Sequence, residues 1–415
     1  MSVSSYLRFA LASADTMRLI AFGFVMTFAS SFGQSYFVGV FGPALREEFG
    51  LSHTSWGTIY MVGTLISAGI LPWTGQLVDR MSLRLFTMVV CAGIVLACFS
   101  FVLAPTVIFL IGSVFLIRQF GQGLAVHVSS TAMVRTFRAD RGKAVALASL
   151  GIAVGESILP FLAVLAIGLI GWRATYGVGG ALIALAITPI VWWLLHEHHT
   201  QQPRVQLQDI ESTTGSWTRI EVLTDWRFYL LLPAISAPSI IVTAIFFHAS
   251  VIASAKGWGM DWVTGSYWLY AVGSVVASLA AGPLIDRISA ARVMPSFLMP
   301  MAVGMVIVWA FDHFMWAWPY LMLVGVTVGI SFTALNSLWA EVYGLQHFGA
   351  IRSLAVSIAV FSSALGPPGM GALMDLGVSV ENVCAFMAFY CLGATALLIV
   401  SVKGYTRNDS ATESE

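Results

Sequence analysis

Two charged residues lie deep inside apolar segments that are each long enough to cross a bilayer: Arg118 and Glu156. An ionised side chain at the bilayer centre costs on the order of 3 kcal/mol or more unless it is paired, so such residues face water, a ligand or each other. In one interpretation they form a permanent ion pair that joins their helices. In the other the pair is interruptible: an anionic substrate displaces Glu156 from Arg118, and the desolvated Glu156 takes up a proton.

Polar side chains at helical spacing accompany these charges. Residues 27–35 carry a stripe at i, i+3, i+4, i+7 and i+8 that must face protein or water if the segment lies in lipid. For a single serine or threonine the alternative is helix–helix hydrogen bonding, and for Tyr36 it is aromatic packing. Buried amides demand several partners, which favours a binding role for them. The residues predicted to bind a substrate are Arg118, Gln34, Gln122, Tyr36, Ser239, Thr243 and Asn336.

His248 is a second candidate for proton coupling beside Glu156, because imidazole titrates near neutral pH. The alternative is a hydrogen-bonded core histidine. The run His196-Glu-His198-His199 opens a polar loop without a partner cysteine, and the four cysteines lie in apolar runs without CxxC spacing. We therefore predict no metal site and no cofactor.

The composition decides the broad class of the protein. Of the 415 residues, 58% are hydrophobic and 10% are charged, and the mean hydropathy is +0.86. A soluble chain carries about 25% charged residues, so a soluble enzyme is excluded. The 20 basic and 20 acidic residues balance, which gives no electrostatic reason to bind nucleic acid. The partner that this composition requires is the lipid bilayer.

Twelve apolar runs reach the roughly 20 residues that a spanning helix needs. We number them span one to span twelve, and they cover residues 18–42, 54–78, 84–103, 107–134, 143–168, 173–195, 227–254, 263–285, 292–312, 316–341, 350–374 and 381–402. The predicted fold is therefore an all-α integral membrane protein. Its predicted parts are a six-helix bundle at 1–195, a linker at 196–226, a second bundle at 227–402 and a short, disordered tail at 403–415.

Lysine and arginine set the predicted orientation. With a cytoplasmic N-terminus, the inner segments hold sixteen of these residues and the outer segments three. This asymmetry places both termini and the linker in the cytoplasm. The N-terminus lacks the pattern of a removable signal peptide. We expect a multi-pass protein of the plasma membrane, in a bacterium the inner membrane.

The second half of the chain repeats the first at an offset of 207 residues. Gly75-Gln-Leu-Val-Asp79-Arg80-Met-Ser82 maps onto Gly282-Pro-Leu-Ile-Asp286-Arg287-Ile-Ser289. Two parallel six-helix repeats are a recurrent transporter architecture. Arg118 and Glu156 map onto Gly325 and Ser363, so only the first half carries the buried charges. A purely architectural pair would occur in both halves, which favours the interruptible pair.

The repeated string resembles the GxLxDRxGrk signature that the major facilitator superfamily keeps after the second helix of each half. Ser82 stands where that family usually has glycine. Arg118-Gln-Phe-Gly121-Gln-Gly123 is similar to the family's RxxqGxG, with the glycines one residue early. The resemblance covers nearly the whole chain. It implies alternating access, a central path lined by spans one, four, seven and ten, and a monomer that contains the whole pathway.

Charged residues in the repeated loops are candidates for gating. A carboxylate at these helix ends can pair with Arg135 or with the N-terminal dipole of a neighbouring helix. Such pairs would clamp the bundles in one state and release them in the other. The alternative is a topology signal combined with a turn. The predicted gating residues are Asp79, Arg80, Arg135, Asp286 and Arg287.

Motifs of other functional classes are missing from the sequence. It contains no GxxxxGK[ST] string for ATP and no HExxH, GxSxG or DxD cluster, so we predict that it is not an enzyme. Span five departs from the GxxxGPxxGG string of drug/proton antiporters, because Glu156 replaces the proline. Arg141-Gly-Lys143 and Gly366-Pro367-Pro368 are more similar to the monocarboxylate and oxalate/formate porter branch.

These observations predict a secondary active transporter that moves a small organic anion, a monocarboxylate, across the membrane by alternating access and couples this movement to protons, with the sequence leaving symport and antiport open. Two alternatives stay open. One is an exporter or antiporter of another small molecule or drug, and the other is a non-transporting sensor with the same fold.

Overall fold

The structure is a computed structural model. It describes residues 9–11, 13–137, 140–196, 217–344 and 347–412, and within these ranges the regular elements are helices. Most of the predicted linker, residues 197–216, lies outside the described residues.

Eleven helical segments in the described ranges are long and apolar enough to cross a membrane. They are Ala14–Gly33, His53–Arg80, Leu83–Val102, Val107–Thr136, Arg141–Leu194, Trp226–Phe247, Met260–Ile288, Ala290–Ala310, Phe314–Tyr343, Ile351–Asp375 and Val380–Val402. The fifth segment has 54 residues, about 80 Å of helix, against roughly 30 Å of bilayer hydrocarbon. Non-helical Gly171 (φ 78°, ψ 165°) divides it into spans five and six. The predicted all-helical fold with twelve spans is therefore confirmed.

The chain forms two compact units, Met1–Pro203 (unit 1) and Arg204–Glu415 (unit 2). Each unit contains six spans in sequence order. The last helix, Val380–Thr412, continues well beyond the last span.

In unit 1, span one packs closely against span five through small residues. A side chain at Gly151 would collide with the backbone of Phe24 and with Thr27. One turn further along, a side chain at Gly155 would collide with Ser31. The Thr27 hydroxyl donates to the Ala148 carbonyl at 2.5 Å across the same interface. Small residues at such a contact bring two helix backbones together inside lipid.

Two irregular segments interrupt the helices of unit 1. The α-helix of span one ends at Ala29, a 3₁₀ turn follows at Ser30–Gly33, and Gln34 is extended (φ −83°, ψ 153°). The continuous helix predicted over 18–42 is therefore wrong in its second half. The chain continues there in short helical turns at Ser35–Val38 and Gly39–Phe41, and then in the helix Gly42–Phe49. In span four, residues Ile117–Ala125 form a π-helix.

In unit 2, span seven packs against span eleven. The Ser362 hydroxyl donates to the Ser236 hydroxyl at 2.9 Å, and Gly366 lies against the backbone of Ile240. Two prolines inside each helix, Pro233 and Pro238 in span seven and Pro367 and Pro368 in span eleven, remove backbone donors and free carbonyl groups. The carbonyls of two of these prolines contact side chains: the Tyr390 hydroxyl donates to the Pro233 carbonyl at 2.9 Å, and His248 Nε2 lies 2.9 Å from the Pro367 carbonyl.

Candidate functional site

The break in span one meets the π-helix of span four. A side chain at Gly33 would collide with the Ile117 carbonyl and the Gln122 amide, and one at Gly121 would lie 3.0 Å from the Gly33 backbone. The two irregular backbones can approach this closely because both positions are glycine. Both kinds of break expose backbone groups that a regular helix would satisfy internally, and π-helical turns occur frequently at functional sites.

Arg118 lies at this meeting point and is 4% exposed. Its Nη1 donates to the Gly33 carbonyl at 3.1 Å, and its guanidinium carbon lies 5.0 Å from the ring centroid of Tyr60. Its Nε is buried and has no hydrogen-bond partner among the described residues. One edge of the guanidinium is thus held by the protein, while another donor is left for a ligand.

Glu156 lies on the other side of the same break and is 7% exposed. It follows Gly155, which packs on Ser31, and it lies within electrostatic range of Tyr36. The Tyr36 hydroxyl donates to the Ser31 hydroxyl at 2.9 Å. Glu156 itself makes no hydrogen bond or ion pair to the described residues. The pair expected between Arg118 and Glu156 is therefore not formed, because Arg118 turns instead to the carbonyl that the break has freed.

The other buried charges in the described ranges are neutralised. Arg227 pairs with Asp225, with Nε 3.0 Å from Oδ1, and Lys256 pairs with Asp312. Burying a lone ion is costly, and natural membrane proteins normally pair such groups. Of the buried charged side chains that the structure describes, Arg118 and Glu156 are those without a counter-charge. The unpaired cation, Arg118, is suited to bind an anion, and the unpaired acid, Glu156, is suited to bind a proton.

The two predicted amides of unit 1, Gln34 and Gln122, lie beside Arg118 in the fold. Gln34 follows Gly33 directly, and the backbone of Gln122 touches Gly33. Both side chains are half-buried, and neither donates or accepts a hydrogen bond within the described ranges. Tyr36 is buried and bonded to Ser31, as described above. These positions are compatible with the predicted binding roles.

Gln119 is a buried amide that the sequence patterns did not single out. Its Oε1 accepts from Ser67 at 2.9 Å and its Nε2 donates to Thr74 at 2.7 Å, so it joins span four to span two. Its partners satisfy it, which indicates a structural role. The signal that could have identified it was the pair of small hydroxyl residues at helical spacing in span two.

The predicted site residues of unit 2 have mixed surroundings. Ser239 is half-buried and Thr243 is buried on span seven, and neither side chain is hydrogen-bonded within the described ranges. His248 is 2% exposed and lies 2.9 Å from the Pro367 carbonyl through Nε2. That contact is the arrangement of the core histidine that the sequence left as an alternative. The side chain of Asn336 lies outside what the structure describes.

The predicted gating residues of unit 1 are brought together in part. Arg135 of span four pairs with Asp79 after span two, and its Nη1 lies 3.5 Å from the Val78 carbonyl. Arg80 is exposed. The Asp79–Arg135 pair thus joins two spans of the same unit, and its role in gating stays a prediction.

The equivalent loop of unit 2 is built differently. Asp286 and Arg287 are exposed, and Asp286 makes no ion pair with the described residues. Instead, Glu341 at the end of span ten accepts hydrogen bonds from the backbone amides of Ala290 and Ala291, at 2.8 and 3.2 Å. Glu341 aligns with Val134, so the offset alone gave no reason to select it.

Unit 2 cannot carry an arginine at the position equivalent to Arg118. Gly325 lies against the backbone of Tyr270, and a Cβ would collide with it. Ser363, the equivalent of Glu156, bonds to the Val360 carbonyl of its own helix at 2.7 Å. Packing at Gly325 therefore explains why unit 2 has no equivalent of Arg118.

The model of the Major Facilitator Superfamily matches residues 23–367, more than four-fifths of the chain. The chain belongs to this superfamily. As a member it is a multi-pass membrane transporter and not an enzyme. No curated protein is similar to the chain in sequence.

Solved structures of this superfamily share the fold at low sequence identity. A bacterial homolog of the human lysosomal transporter Spinster, inward-facing and unoccupied, has a TM-score of 0.71 at 12% identity, over 95% of this chain and 98% of the homolog. The same homolog in an occupied conformation gives 0.66 at 13%, over 95% and 96%. A point mutant of the nucleoside transporter NupG gives 0.70 at 14%, over 92% and 99%. At these identities the likeness shows the fold alone.

Proposed function

We propose that this transporter moves a small organic anion, a monocarboxylate, together with a proton by alternating access. The observation that carries the proposal is that Arg118 and Glu156 are both buried in unit 1 and both lack a counter-charge there. The monocarboxylate and oxalate/formate branch fits this pair of charges better than a drug antiporter, which has proline at the position of Glu156.

The substrate carboxylate supplies the missing negative charge beside Arg118. With Nη1 held by Gly33, the Nε side of the guanidinium remains for a charge-assisted hydrogen bond, which is stronger than a neutral one. In the part of the chain that the structure describes, Arg118 is the buried arginine without a counter-charge, and one such arginine matches a single carboxylate. Gln34 and Gln122, whose amides are not hydrogen-bonded to the described residues, orient the rest of the substrate.

Glu156 carries the proton. A carboxyl group without partners in a low-dielectric site favours the neutral form. The proton that Glu156 takes up balances the negative charge of the bound substrate, so loading adds no net charge to the unit. We place both termini and the Asp79 loop in the cytoplasm of a bacterial cell, from the distribution of lysine and arginine. In that orientation Asp79, Arg80, Arg135, Asp286 and Arg287 act at the cytoplasmic gate.

The test is proton flux in proteoliposomes with a trapped pH dye, while carboxylates, nucleosides, sugars, amines and apolar drugs are added outside in turn. Symport predicts acidification of the lumen with a carboxylate, and its loss in Glu156→Gln, which retains exchange of labelled substrate. Glu47→Gln removes an exposed carboxylate outside the spans and is the control. Alkalinisation with an amine or drug would assign an antiporter, and full gradient-driven uptake by Glu156→Gln would refute the role of that residue.

A further inference from the structure

Two arginines from the beginning of spans one and three meet two tryptophans from the end of span six. The guanidinium carbon of Arg84 lies 3.3 Å from the ring centroid of Trp192, and that of Arg18 lies 5.5 Å from the ring of Trp193. Arg84 is the second residue of its span, and the tryptophans lie in the last turn of span six. We call these four residues the Arg–Trp cluster.

The cluster offers donors for an anion. Arg84 makes no ion pair within the described ranges, and its Nε is buried there without a hydrogen-bond partner. Trp192 and Trp193 are 47% and 60% exposed, and neither indole N–H is bonded to a described residue. A planar guanidinium held flat on an aromatic ring keeps its remaining N–H groups fixed at its edge, where they suit phosphate oxygens.

The surroundings of the cluster are apolar on the membrane side. Leu85 and Val89 of span three and Ile190 of span six are large exposed hydrophobic residues. Tryptophan side chains at the end of a span lie at the level of lipid headgroups, and arginines there attract anionic lipids. A soluble phosphate would contact only the donors, whereas a lipid uses the donors and the apolar strip together.

We propose that the Arg–Trp cluster binds the phosphate of an anionic phospholipid, whose acyl chain lies along Leu85 and Val89. The repeat supplies an internal comparison, because Ala291, Ile399 and Val400 of unit 2 stand at the positions of Arg84, Trp192 and Trp193. Unit 2 therefore lacks the cluster. The proposal does not depend on the substrate of the transporter.

The experiment measures lipid binding to the purified full chain in detergent by native mass spectrometry. Dioleoyl-phosphatidylglycerol is compared with dioleoyl-phosphatidylcholine, which has the same acyl chains and no net charge. We expect selective binding of the anionic lipid, weakened about tenfold in Arg84→Gln and in Trp193→Leu. Arg292→Gln, which removes an exposed arginine of unit 2, is the matched control and retains wild-type affinity.

Three results would overturn the proposal. They are equal binding of the two lipids, wild-type affinity in Arg84→Gln, and competition by soluble glycerol phosphate at the same concentration as the lipid. Trp193 is largely exposed, so Trp193→Leu keeps the test decisive if Arg84→Gln does not fold.

Discussion

Arg118 donates from Nη1 to the carbonyl oxygen of Gly33, 3.1 Å away, and this bond joins the break in span one to the π-helix of span four. The carbonyl is available because the α-helical pattern of span one ends at Ala29. The bond fixes the direction of the guanidinium while leaving its positive charge uncompensated. A buried cation held in this way favours an anion as its ligand.

Arg118→Lys is expected to weaken binding of the transported carboxylate by at least about tenfold. An ammonium group is a point donor and cannot hold the Gly33 carbonyl and a carboxylate in one plane, as a guanidinium does. The measurement is the dissociation constant of the carboxylate identified by the flux assay. Arg292→Lys, at an exposed position, is the control. Binding within twofold of wild type in Arg118→Lys would remove the anion clamp from the mechanism.

Arg118→Met is expected to abolish binding and to raise the midpoint of thermal unfolding in detergent. An unpaired buried charge destabilises the fold, and an apolar side chain of similar length removes that cost. If the arginine instead served as a structural ion pair, the same change would lower the midpoint, because it would strand a buried carboxylate. A raised midpoint would therefore exclude a permanent ion pair, even though the variant also loses the bond to the Gly33 carbonyl.

Gly33→Ala is expected to destabilise the protein by about 1–3 kcal/mol and to suppress transport, because its Cβ would collide with the span-four backbone. Gly112→Ala is the control. Gly112 lies in span four, the span that Gly33 contacts, and a Cβ at Gly112 meets nothing within 4 Å. That change should be neutral or slightly stabilising, since alanine is the better helix former. Unfolding midpoints and transport rates measure both variants, and equal effects would contradict the close contact of Gly33 with Gly121.

Hydropathy was sufficient to predict the spans, because their ends depend on the number of consecutive apolar residues. It could not predict the break in span one, since the polar stripe at 27–35 has regular α-helical spacing. The π-helix could not be predicted from the sequence for the same reason. A π-helix has a wider turn than the 3.6 residues of an α-helix, so α-helical spacing does not show which residues of Ile117–Ala125 share a face, and it gives no reason to select Gln119.

The repeat predicted equivalent loops after spans two and eight, and there the sequence similarity exceeds the structural similarity. Ser82 has φ −62° and caps the helix Leu83–Val102 through its hydroxyl. Ser289 has φ 75° and does not cap, and Glu341 binds the helix N-terminus in its place. The two backbones differ because Glu341, from a different span, has no counterpart in unit 1. A contact of that kind leaves no trace in local sequence.

Glu48 is expected to contribute stability that disappears in acid. It lies in the helix Gly42–Phe49 outside the spans, where the hydrogen bond from Arg173 holds its pKa below the ordinary value of 4.5. Folding therefore favours the carboxylate. Its stabilisation is complete above 4.5 and is lost as the pH falls through the lowered pKa. Because the pair is partly exposed, the effect is below about 1 kcal/mol.

The measurement compares unfolding midpoints of the wild type and Glu48→Gln as the pH is lowered from 7. The difference between the two proteins should shrink below pH 4.5 and vanish at still lower pH. Glu47→Gln, an exposed neighbour without an ion pair in the described ranges, should show little difference at any pH. A constant difference for Glu48→Gln would mean that its ion pair with Arg173 does not contribute.

The same substitution at the two equivalent loop positions should have opposite effects. At Ser289, with φ 75° and ψ 155°, an L side chain is strained, and Ser289→Gly is expected to stabilise the protein by about 1 kcal/mol. At Ser82 the hydroxyl accepts from the Leu85 amide at 3.3 Å, and Ser82→Gly removes this cap at a cost of a few tenths of a kcal/mol. Unfolding midpoints of both variants test this. Shifts of the same sign would mean that the two loops share one backbone conformation. They would contradict the conclusion that Glu341 takes the place of a serine cap in unit 2.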